Sequence, residues 1–329
     1  MLPRRVFRIT ILLICSVFCK ELSAQSSPAN DSGDIYLADP TIFADKGQHY
    51  LYGTGSGAMG NGFLAYTSSN LKNWKLIENN NGYCLRKGDA FGSSGFWAPQ
   101  VFKYESKYFF AYVANENIAI AEGHNPAGPF IQKVKQPLAA PVKQIDPFIF
   151  IDDDGRKYLY HVRLTNGNKI FVAELNDDFS TIKEETLREC ITATEKWENI
   201  SNAKWPVTEG PSILKHKGIY YLFYSANDYR NKGYAVGYAT STNPMGPWTK
   251  YPGNPILYSS MIQQAGPGHG DFIKKKNQYY YVFHTHHSLS VVHPRKTAII
   301  KGAFYKKKNT IDRFGFKSKS FYYLKRATT

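Results

Sequence analysis

Cysteine is scarce in this sequence. Four of the 329 residues are cysteines, and two of them lie within the first 24 residues. The other two, Cys84 and Cys190, belong to no Cys-x-x-C motif and to no Cys/His pair, which argues against a structural zinc site. A disulfide between them would require two distant parts of the chain to meet, so two separate buried thiols are the favoured state. Pairing in an oxidising compartment is the alternative.

Long apolar runs are also few, and none repeats with the 3.6-residue period of an amphipathic helix. The main run, ITILLICSVF, follows three arginines near the amino terminus and precedes Leu22-Ser23-Ala24. It is too short for a membrane span, so residues 1–24 are predicted to be a secretory signal peptide and residues 25–33 a polar linker. The expectation is a secreted or periplasmic protein without membrane insertion. A lipid anchor on Cys19 is disfavoured by the bulky Phe18 before it.

Acidic residues are fewer than basic ones. The chain has 26 Asp and Glu against 41 Lys and Arg, a formal net charge of +15. Residues 295–329 alone hold eleven Lys and Arg and one Asp, so the rest of the chain after the signal peptide is nearly neutral. This uneven distribution argues against a nucleic-acid-binding protein and predicts a solvated basic edge. Adhesion to an acidic polysaccharide or to a membrane surface is the alternative.

Aromatic residues are plentiful, and they mark a unit that occurs five times. Each unit opens with a polar or aromatic residue, often beside proline, and continues with a short apolar run, a turn and a strand rich in Tyr and Phe. The openings are Asp39-Pro40-Thr41-Ile42-Phe43, Trp97-Ala98-Pro99-Gln100-Val101-Phe102, Asp146-Pro147-Phe148-Ile149-Phe150, Glu209-Gly210-Pro211-Ser212-Ile213-Leu214 and His269-Gly270-Asp271-Phe272-Ile273. Their spacings are 58, 49, 63 and 60 residues. Several strands per unit at this spacing predict an all-β, five-bladed β-propeller over residues 34–329, with its active site on the central axis.

Three of the five openings carry a carboxylic acid. The repeat places Asp39, Asp146 and Glu209 at the same phase, and therefore around one point on the axis. A single acid before proline is commonly a turn or cap residue. Three buried acids together are costly unless they are used. Three uses fit: binding a cation, binding sugar hydroxyls, or paired acid–base chemistry.

Hydrolysis of a glycosidic bond is a reaction that three clustered carboxyl groups could carry out. It uses two carboxyl groups that flank the bond, and in inverting enzymes these stand roughly 6.5–9.5 Å apart to admit a water molecule. A third carboxylate beside the acid disfavours its ionisation and keeps it protonated. An axial pocket lined from opposite blades can supply all three groups.

The openings, taken in order, resemble glycoside hydrolase family 43. The similarity rests on Ala38-Asp39-Pro40, Trp97-Ala98-Pro99, Ile145-Asp146-Pro147 and Glu209-Gly210-Pro211 and covers residues 34–329. It implies a five-bladed propeller that inverts the anomeric centre. It also implies that Asp39 is the general base, that Glu209 is the general acid, and that Asp146 orients this acid and tunes its pKa. No organic cofactor is implied.

The other axial residues have two interpretations each. Trp97 is either an apolar wall for a pentose ring or a core side chain. The resemblance implies that Arg295 contacts substrate hydroxyls and that His269 holds a central water or cation, such as Ca²⁺ bound through water; a surface Arg and a structural His are the alternatives. Phe43 and Phe148 lie beside the acids and either line the pocket or pack.

The favoured function is a secreted, inverting exo-glycosidase that removes terminal α-L-arabinofuranosyl residues from plant oligo- or polysaccharides. A β-xylosidase, an endo-arabinanase and a non-catalytic sugar-binding propeller are the alternatives. Rim loops at residues 55–62, 88–96 and 226–233 would decide among them. An insert at 192–208 with Trp197 and Trp205 is a further candidate for substrate contact. The sequence does not indicate the oligomeric state.

Overall fold

The computed structural model describes residues 33–55, 61–306 and 310–327. The predicted signal peptide, nearly all of the predicted linker and most of the 55–62 loop lie outside the described residues. Among the residues that are described, no helix is long and apolar enough to cross a membrane. The propeller is built from strands, so the elements that position the site are all β.

The strands follow one another along the whole described chain. In chain order they are β1 (Leu37–Asp45), β2 (Gln48–Gly55), β3 (Gly62–Leu64), β4 (Tyr66–Ser68), β5 (Asn73–Leu76), β6 (Tyr83–Arg86), β7 (Trp97–Tyr104), β8 (Lys107–Ala114), β9 (Asn117–Gly123), β10 (Gln144–Ile151), β11 (Lys157–Leu164), β12 (Asn168–Glu174), β13 (Arg188–Ile191), β14 (Thr208–His216), β15 (Ile219–Ala226), β16 (Ala235–Ser241), β17 (Thr249–Lys250), β18 (Gly268–Lys275), β19 (Gln278–Thr285), β20 (Lys296–Tyr305), β21 (Arg313–Tyr323) and β22 (Lys325–Arg326). The helical elements are a short α1 (Ser259–Ile262) and 3₁₀ turns at Asn79–Gly82, Glu184–Thr186 and Lys196–Glu198.

These strands form five antiparallel blades, which confirms the predicted five-bladed β-propeller. Blade 1 is β1-β2-β4-β5, blade 2 is β7-β8-β9, blade 3 is β10-β11-β12-β13, blade 4 is β14-β15-β16-β17 and blade 5 is β18-β19-β20-β21. Strands β3 and β6 form a separate pair between blades 1 and 2. The first two strands of each blade are joined by tight turns, for example Lys46-Gly47 and Lys217-Gly218, in which both residues have positive φ. Such turns match the right-handed twist of the strands they connect.

The core lies between neighbouring blades. Phe223 of blade 4 meets Phe272 and Phe314 of blade 5, with ring centroids 4.5 and 5.0 Å apart. Large aromatic rings bury much apolar area per residue, and edge-on or tilted contacts add to this. The aromatic runs of the sequence are therefore the material that holds adjacent blades together.

The ring closes through the end of the described chain. Strand β22 pairs in parallel with β5 of blade 1, so Lys325 lies opposite Asn73 and Arg326 opposite Trp74. The backbone N–H of Ile35 donates to the carbonyl of Leu324 at 3.1 Å. Blade 1 therefore contains chain from both ends of the propeller.

Cys84 and Cys190, the two cysteines in the part of the chain that the structure describes, form no disulfide, as expected for separate thiols. Cys84 is buried in the cluster between blades 1 and 2, whereas Cys190 is only partly buried in blade 3. Burial raises the pKa of the Cys84 thiol, which keeps it protonated. Neither residue contributes to the axial site.

A β-bulge recurs in the first strand of every blade and places side chains on the axis. The residue in the bulge has a positive φ of 42–60° in all five blades. These residues are Asp39, Ala98, Asp146, Gly210 and His269. The structure corrects the predicted phase of the acids, because Gly210, and not Glu209, is equivalent to Asp39 and Asp146. Glu209 lies one residue earlier, at the position that Trp97 occupies in blade 2.

Candidate active site

Asp39 is held by groups from three elements. Nη1 of Arg295 donates to Oδ1 at 3.0 Å, and the hydroxyl of Thr54 donates to Oδ2 at 2.7 Å. Nδ1 of His284 lies 3.3 Å from Oδ1 and accepts the backbone N–H of Asp39 at 3.1 Å. The carboxylate is therefore fixed at both oxygens, and its backbone is fixed as well.

This environment sets the charge of Asp39. Burial favours the neutral form, but the positive charge of Arg295 holds the pKa of Asp39 well below 3.8. Burial, followed by the nearby Arg295, lowers the pKa of His284 to about 3, so this imidazole is neutral. Asp39 is consequently ionised at neutral pH, the state that a general base requires.

Asp146 and Glu209 have the opposite tendency. Burial and the negative charge of Asp39 raise the pKa of Asp146 to about 7. Burial and the neighbouring Asp146 raise the pKa of Glu209 to about 7. Hydrogen bonds locate both groups: the N–H of Gly210 donates to Oδ2 of Asp146 at 3.1 Å, and the hydroxyl of Tyr234 donates to Oε1 of Glu209 at 2.8 Å. Buried acids near a like charge stay protonated close to neutral pH, as a general acid must.

His269 stands between the two aspartates. Its Nδ1 is 3.4 Å from Oδ1 of Asp39 and 3.8 Å from Oδ2 of Asp146. The N–H of His269 donates to Oγ of Ser225 at 2.8 Å. A Cβ on Gly210 would lie 2.8 Å from Cγ of His269, so glycine is needed there to admit the imidazole. The bulge residues of blades 1, 3, 4 and 5 thus meet in one place.

The family model for Glycosyl hydrolases family 43 matches residues 34–313. The chain belongs to glycosyl hydrolase family 43. It is therefore a glycoside hydrolase of a family whose members invert the anomeric centre, which confirms the resemblance seen in the sequence and the predicted class of enzyme.

Known family 43 and related proteins are similar over most of the chain. A Bacteroides thetaiotaomicron structure described as an endo-1,4-beta-xylanase is 42% identical, with a TM-score of 0.79, over 89% of this chain and 97% of its own. The beta-D-galactofuranosidase xynD of Aspergillus niger is 27% identical over 76% of this chain and 74% of its own length. The arabinoxylan arabinofuranohydrolase of Bacillus subtilis is 27% identical over 75% of this chain, and the match spans 55% of that relative.

Arg295 and the predicted aromatic contacts occupy different parts of this family 43 site. The Arg295 guanidinium pairs with Asp39 and lies 4.4 Å from the centroid of the Tyr229 ring. Trp97 is half-buried at the position equivalent to Glu209. Phe148 lines a small axial cavity, whereas Phe43 packs edge-on against Tyr108 between blades 1 and 2, at a centroid distance of 5.9 Å. Packing accounts for the position of Phe43.

The axial cavity was the predicted place for a cation. It has a volume of about 20 Å³ and is lined by Asp39, Asp146 and His269, with Thr41, Gln100 and Asp271 as its other polar side chains. Thr41 donates to Asp271 at 2.7 Å, and both ends of the Gln100 amide bond the backbone of Ile149. No group of three or more His, Cys, Asp or Glu arranged for a metal is found in the described ranges. Ca²⁺ takes six to eight oxygen ligands, and water can supply some of them, so a cation that His269 holds through water stays a prediction.

The second strands of the blades contribute site residues that were not predicted from the sequence. The residue opposite the pre-bulge position is Thr54 in blade 1, Ser225 in blade 4 and His284 in blade 5. Each accepts the N–H of the bulge residue in the next blade, Ala98, His269 or Asp39, at 2.8–3.1 Å. Their common place in the repeat, a polar residue at the end of an aromatic run, was the signal that could have identified them.

Tyr234 and Asn168 were also missed, because they lie outside the repeated openings. Tyr234 directly precedes β16, and Asn168 is the first residue of β12. Nδ2 of Asn168 donates to Oε2 of Glu209 at 3.1 Å. Of the two tryptophans in the 192–208 insert, Trp197 packs against Tyr224, and Trp205 is 48% exposed.

Proposed function

We propose that this family 43 hydrolase removes terminal α-L-arabinofuranosyl residues from a plant polysaccharide such as arabinoxylan, and that it releases them one unit at a time. The observation that carries the proposal is the position of the buried acids Asp39, Asp146 and Glu209 around one axial site. There Arg295 holds the pKa of Asp39 well below 3.8 in spite of burial, whereas burial raises the pKa of Glu209 to about 7. This is the division of charge that inverting hydrolysis needs.

In the proposed mechanism, Asp39 accepts a proton from a water molecule as that water attacks the anomeric carbon. Glu209 gives its proton to the glycosidic oxygen while the carbon–oxygen bond breaks. The new carbon–hydroxyl bond forms on the opposite face, so the anomeric configuration inverts. Asp39 ends the step neutral and Glu209 ends it ionised, and exchange with solvent restores both. Before this step, burial and the neighbouring Asp146 keep the pKa of Glu209 raised, so that Glu209 holds its proton.

The choice of sugar is supported by the relatives. The Bacillus subtilis relative is described as an arabinoxylan arabinofuranohydrolase. The second candidate is a β-xylosidase or xylanase, favoured by the structure of 42% identity that is described as an endo-1,4-beta-xylanase. For either pentose, the ring of Trp97, at the position equivalent to Glu209, is the candidate contact for the C–H face of the sugar.

A panel of substrates tests this proposal. We expect the enzyme to release arabinose from an aryl α-L-arabinofuranoside and from arabinoxylan, with little activity on an aryl β-xyloside. Linear arabinan distinguishes single arabinose units, which indicate exo action, from a ladder of oligosaccharides. Release of xylose or xylo-oligosaccharides from unbranched xylan, without arabinose, would assign the xylan backbone as substrate instead.

We further propose that the protein is secreted or periplasmic after removal of residues 1–24. The support is the arginine-led apolar run and the Leu22-Ser23-Ala24 sequence before Gln25. Expression of the full chain in a Gram-negative host, with sequencing of the mature amino terminus, should yield a protein that begins at Gln25. A product that begins with a lipid-modified Cys19 would show the anchored form.

A further inference from the structure

A chain of hydrogen bonds runs from the half-exposed Trp205 through Asn168 to Glu209. The indole Nε1–H of Trp205 donates to Oδ1 of Asn168 at 2.9 Å. Nδ2 of the same amide donates to Oε2 of Glu209 at 3.1 Å. The other carboxyl oxygen of Glu209 accepts from the hydroxyl of Tyr234 at 2.8 Å. Two donors therefore define the plane of the carboxyl group.

The indole decides which way the amide of Asn168 points. An indole N–H only donates, so the atom of Asn168 that faces it must be the oxygen, and the amide nitrogen must then face Glu209. We propose that Trp205 and Asn168 are positioning residues for the general acid, holding Glu209 so that its proton is directed at the leaving oxygen. The proposal deepens the proposed function and rests on it.

The backbone is built to hold this pair together. The N–H of Asn168 donates to the carbonyl of Pro206 at 2.9 Å, and the hydroxyl of Thr208 donates to the carbonyl of Asn168 at 3.0 Å. Gly167 has a φ of +129°, and a Cβ there would lie 2.7 Å from the Pro206 oxygen. The glycine thus permits the close approach that brings Trp205 next to Asn168.

The 192–208 insert is itself anchored in the protein. The fully buried Glu198 accepts the N–H groups of Thr194 and Glu195 at 2.7 and 2.8 Å and the hydroxyl of Tyr224 at 2.6 Å. Lys250 reaches the same carboxylate at 2.6 Å. A buried charge with this many partners is costly to disturb. The insert therefore presents Trp205 from a fixed base, even though its ring is half exposed.

Loss of the indole N–H has a defined consequence. The amide of Asn168 becomes free to turn and to present its oxygen to Glu209. A carboxylic acid would then donate its proton to that oxygen, which stabilises the neutral form and directs the proton away from the substrate. The other charged or titratable groups that face Glu209 come from several elements and stay in place: Asp39, Asp146, Arg230, Tyr234 and His269.

The kinetic test compares Trp205→Phe with Trp248→Phe. Trp205→Phe keeps an aromatic ring but removes the donor, and Trp248→Phe makes the same change in blade 4, where the indole packs against Tyr160. With a phenyl arabinofuranoside, whose poor leaving group needs the acid, Trp205→Phe should lose about tenfold in kcat, a part of what general acid catalysis supplies. With a dinitrophenyl leaving group the loss should be much smaller. Trp248→Phe should match the wild type on both.

A second measurement does not depend on turnover. Glutamate labelled with ¹³C at the carboxyl carbon reports the titration of Glu209 by NMR, with Glu209→Gln to assign the signal. The pKa of Glu209 should be higher in Trp205→Phe and in Asn168→Ala than in the wild type, and unchanged in Trp248→Phe. An unchanged titration, or equal kinetic losses with both leaving groups, would overturn the positioning role. If no arabinoside is hydrolysed but the titration moves as expected, the choice of sugar fails and the positioning role stands.

Discussion

Arg295 and Asp39 form an ion pair across the junction of blades 5 and 1, with Nη1 of the guanidinium 3.0 Å from Oδ1 of the carboxylate. Both side chains are about nine-tenths buried. Charge–charge attraction between groups removed from water is strong. The pair explains why Asp39 stays ionised although burial alone would raise its pKa.

Replacing Arg295 with Met should therefore move the acidic limb of the activity profile. The pKa of Asp39 lies well below 3.8 in the wild type, so the base is ionised throughout the neutral range and is lost only in strong acid. Without the guanidinium, burial raises this pKa, and kcat/KM should begin to fall at a higher pH. Profiles of kcat/KM from pH 3 to 9 measure the shift. An acidic limb at the same pH in both proteins would contradict the role of the pair.

Glu209→Gln should remove the proton donor. General acid catalysis contributes roughly 10²–10⁴-fold, so kcat on arabinoxylan should fall within that range. The loss should be smaller on a dinitrophenyl arabinofuranoside, because that leaving group departs without protonation. Binding of arabinose-containing oligosaccharides, measured by calorimetry, should remain. Full activity in the variant would exclude Glu209 as the acid.

The same substitution should change how stability depends on pH. The pKa of Glu209 in the folded protein is about 7, above its value in an unfolded chain. The folded state therefore binds more protons, and this group lowers stability as pH rises from about 4 to 7. Glutamine removes that loss, so Glu209→Gln should raise the melting temperature relative to wild type more at pH 8 than at pH 5. Equal differences at the two pH values would show that folding does not raise the pKa of Glu209.

The repeat was visible in the sequence because tyrosine and phenylalanine in the second strands form the packing between blades. The acids could be predicted because each lies at the start of a repeat. Their exact phase was predicted wrongly, because the openings were aligned on their first residues. Proline follows the bulge residue in four blades, at positions 40, 99, 147 and 211, and alignment on proline places Gly210, and not Glu209, with Asp39 and Asp146. His284 reaches Asp39 from the neighbouring blade, and Tyr234 reaches Glu209 from the segment before β16 in the same blade. Neither residue lies in a repeated opening, so only the folded chain brings them to the acids.

Thr54 joins blades 1 and 2 at the site, and its removal tests that link. Its hydroxyl accepts the N–H of Ala98 at 2.9 Å and donates to Asp39 at 2.7 Å. Thr54→Val keeps the shape but leaves the buried N–H of Ala98 without its partner, a cost of about 1–3 kcal/mol. We expect lower stability in urea together with reduced kcat. Thr54→Ser keeps the hydroxyl and should retain most of both, so similar losses in the two variants would assign the effect to packing.

Gly210 offers a test of the axial crowding with a matched control in the same blade. Gly210 has a φ of +60°, and an added Cβ would lie 2.8 Å from the imidazole of His269. Gly218, in the turn between β14 and β15, has a φ of +76° and open space where its Cβ would be. Alanine at either position brings the left-handed backbone strain, about 1–2 kcal/mol. Only Gly210→Ala should also displace His269.

Measurements of kcat separate the backbone strain, which both alanine variants share, from the displacement of His269, which only Gly210→Ala causes. Because His269 stands between Asp39 and Asp146, a shift of about 1 Å in its ring should lower kcat by a factor of roughly ten or more. Gly218→Ala should lose stability by a similar amount and keep wild-type kcat, since its turn is remote from the acids along β14. Thermal melts and initial rates on both variants make the comparison. Equal kcat in the two proteins would mean that the imidazole position does not matter for turnover, and that the glycine in blade 4 serves the bulge alone.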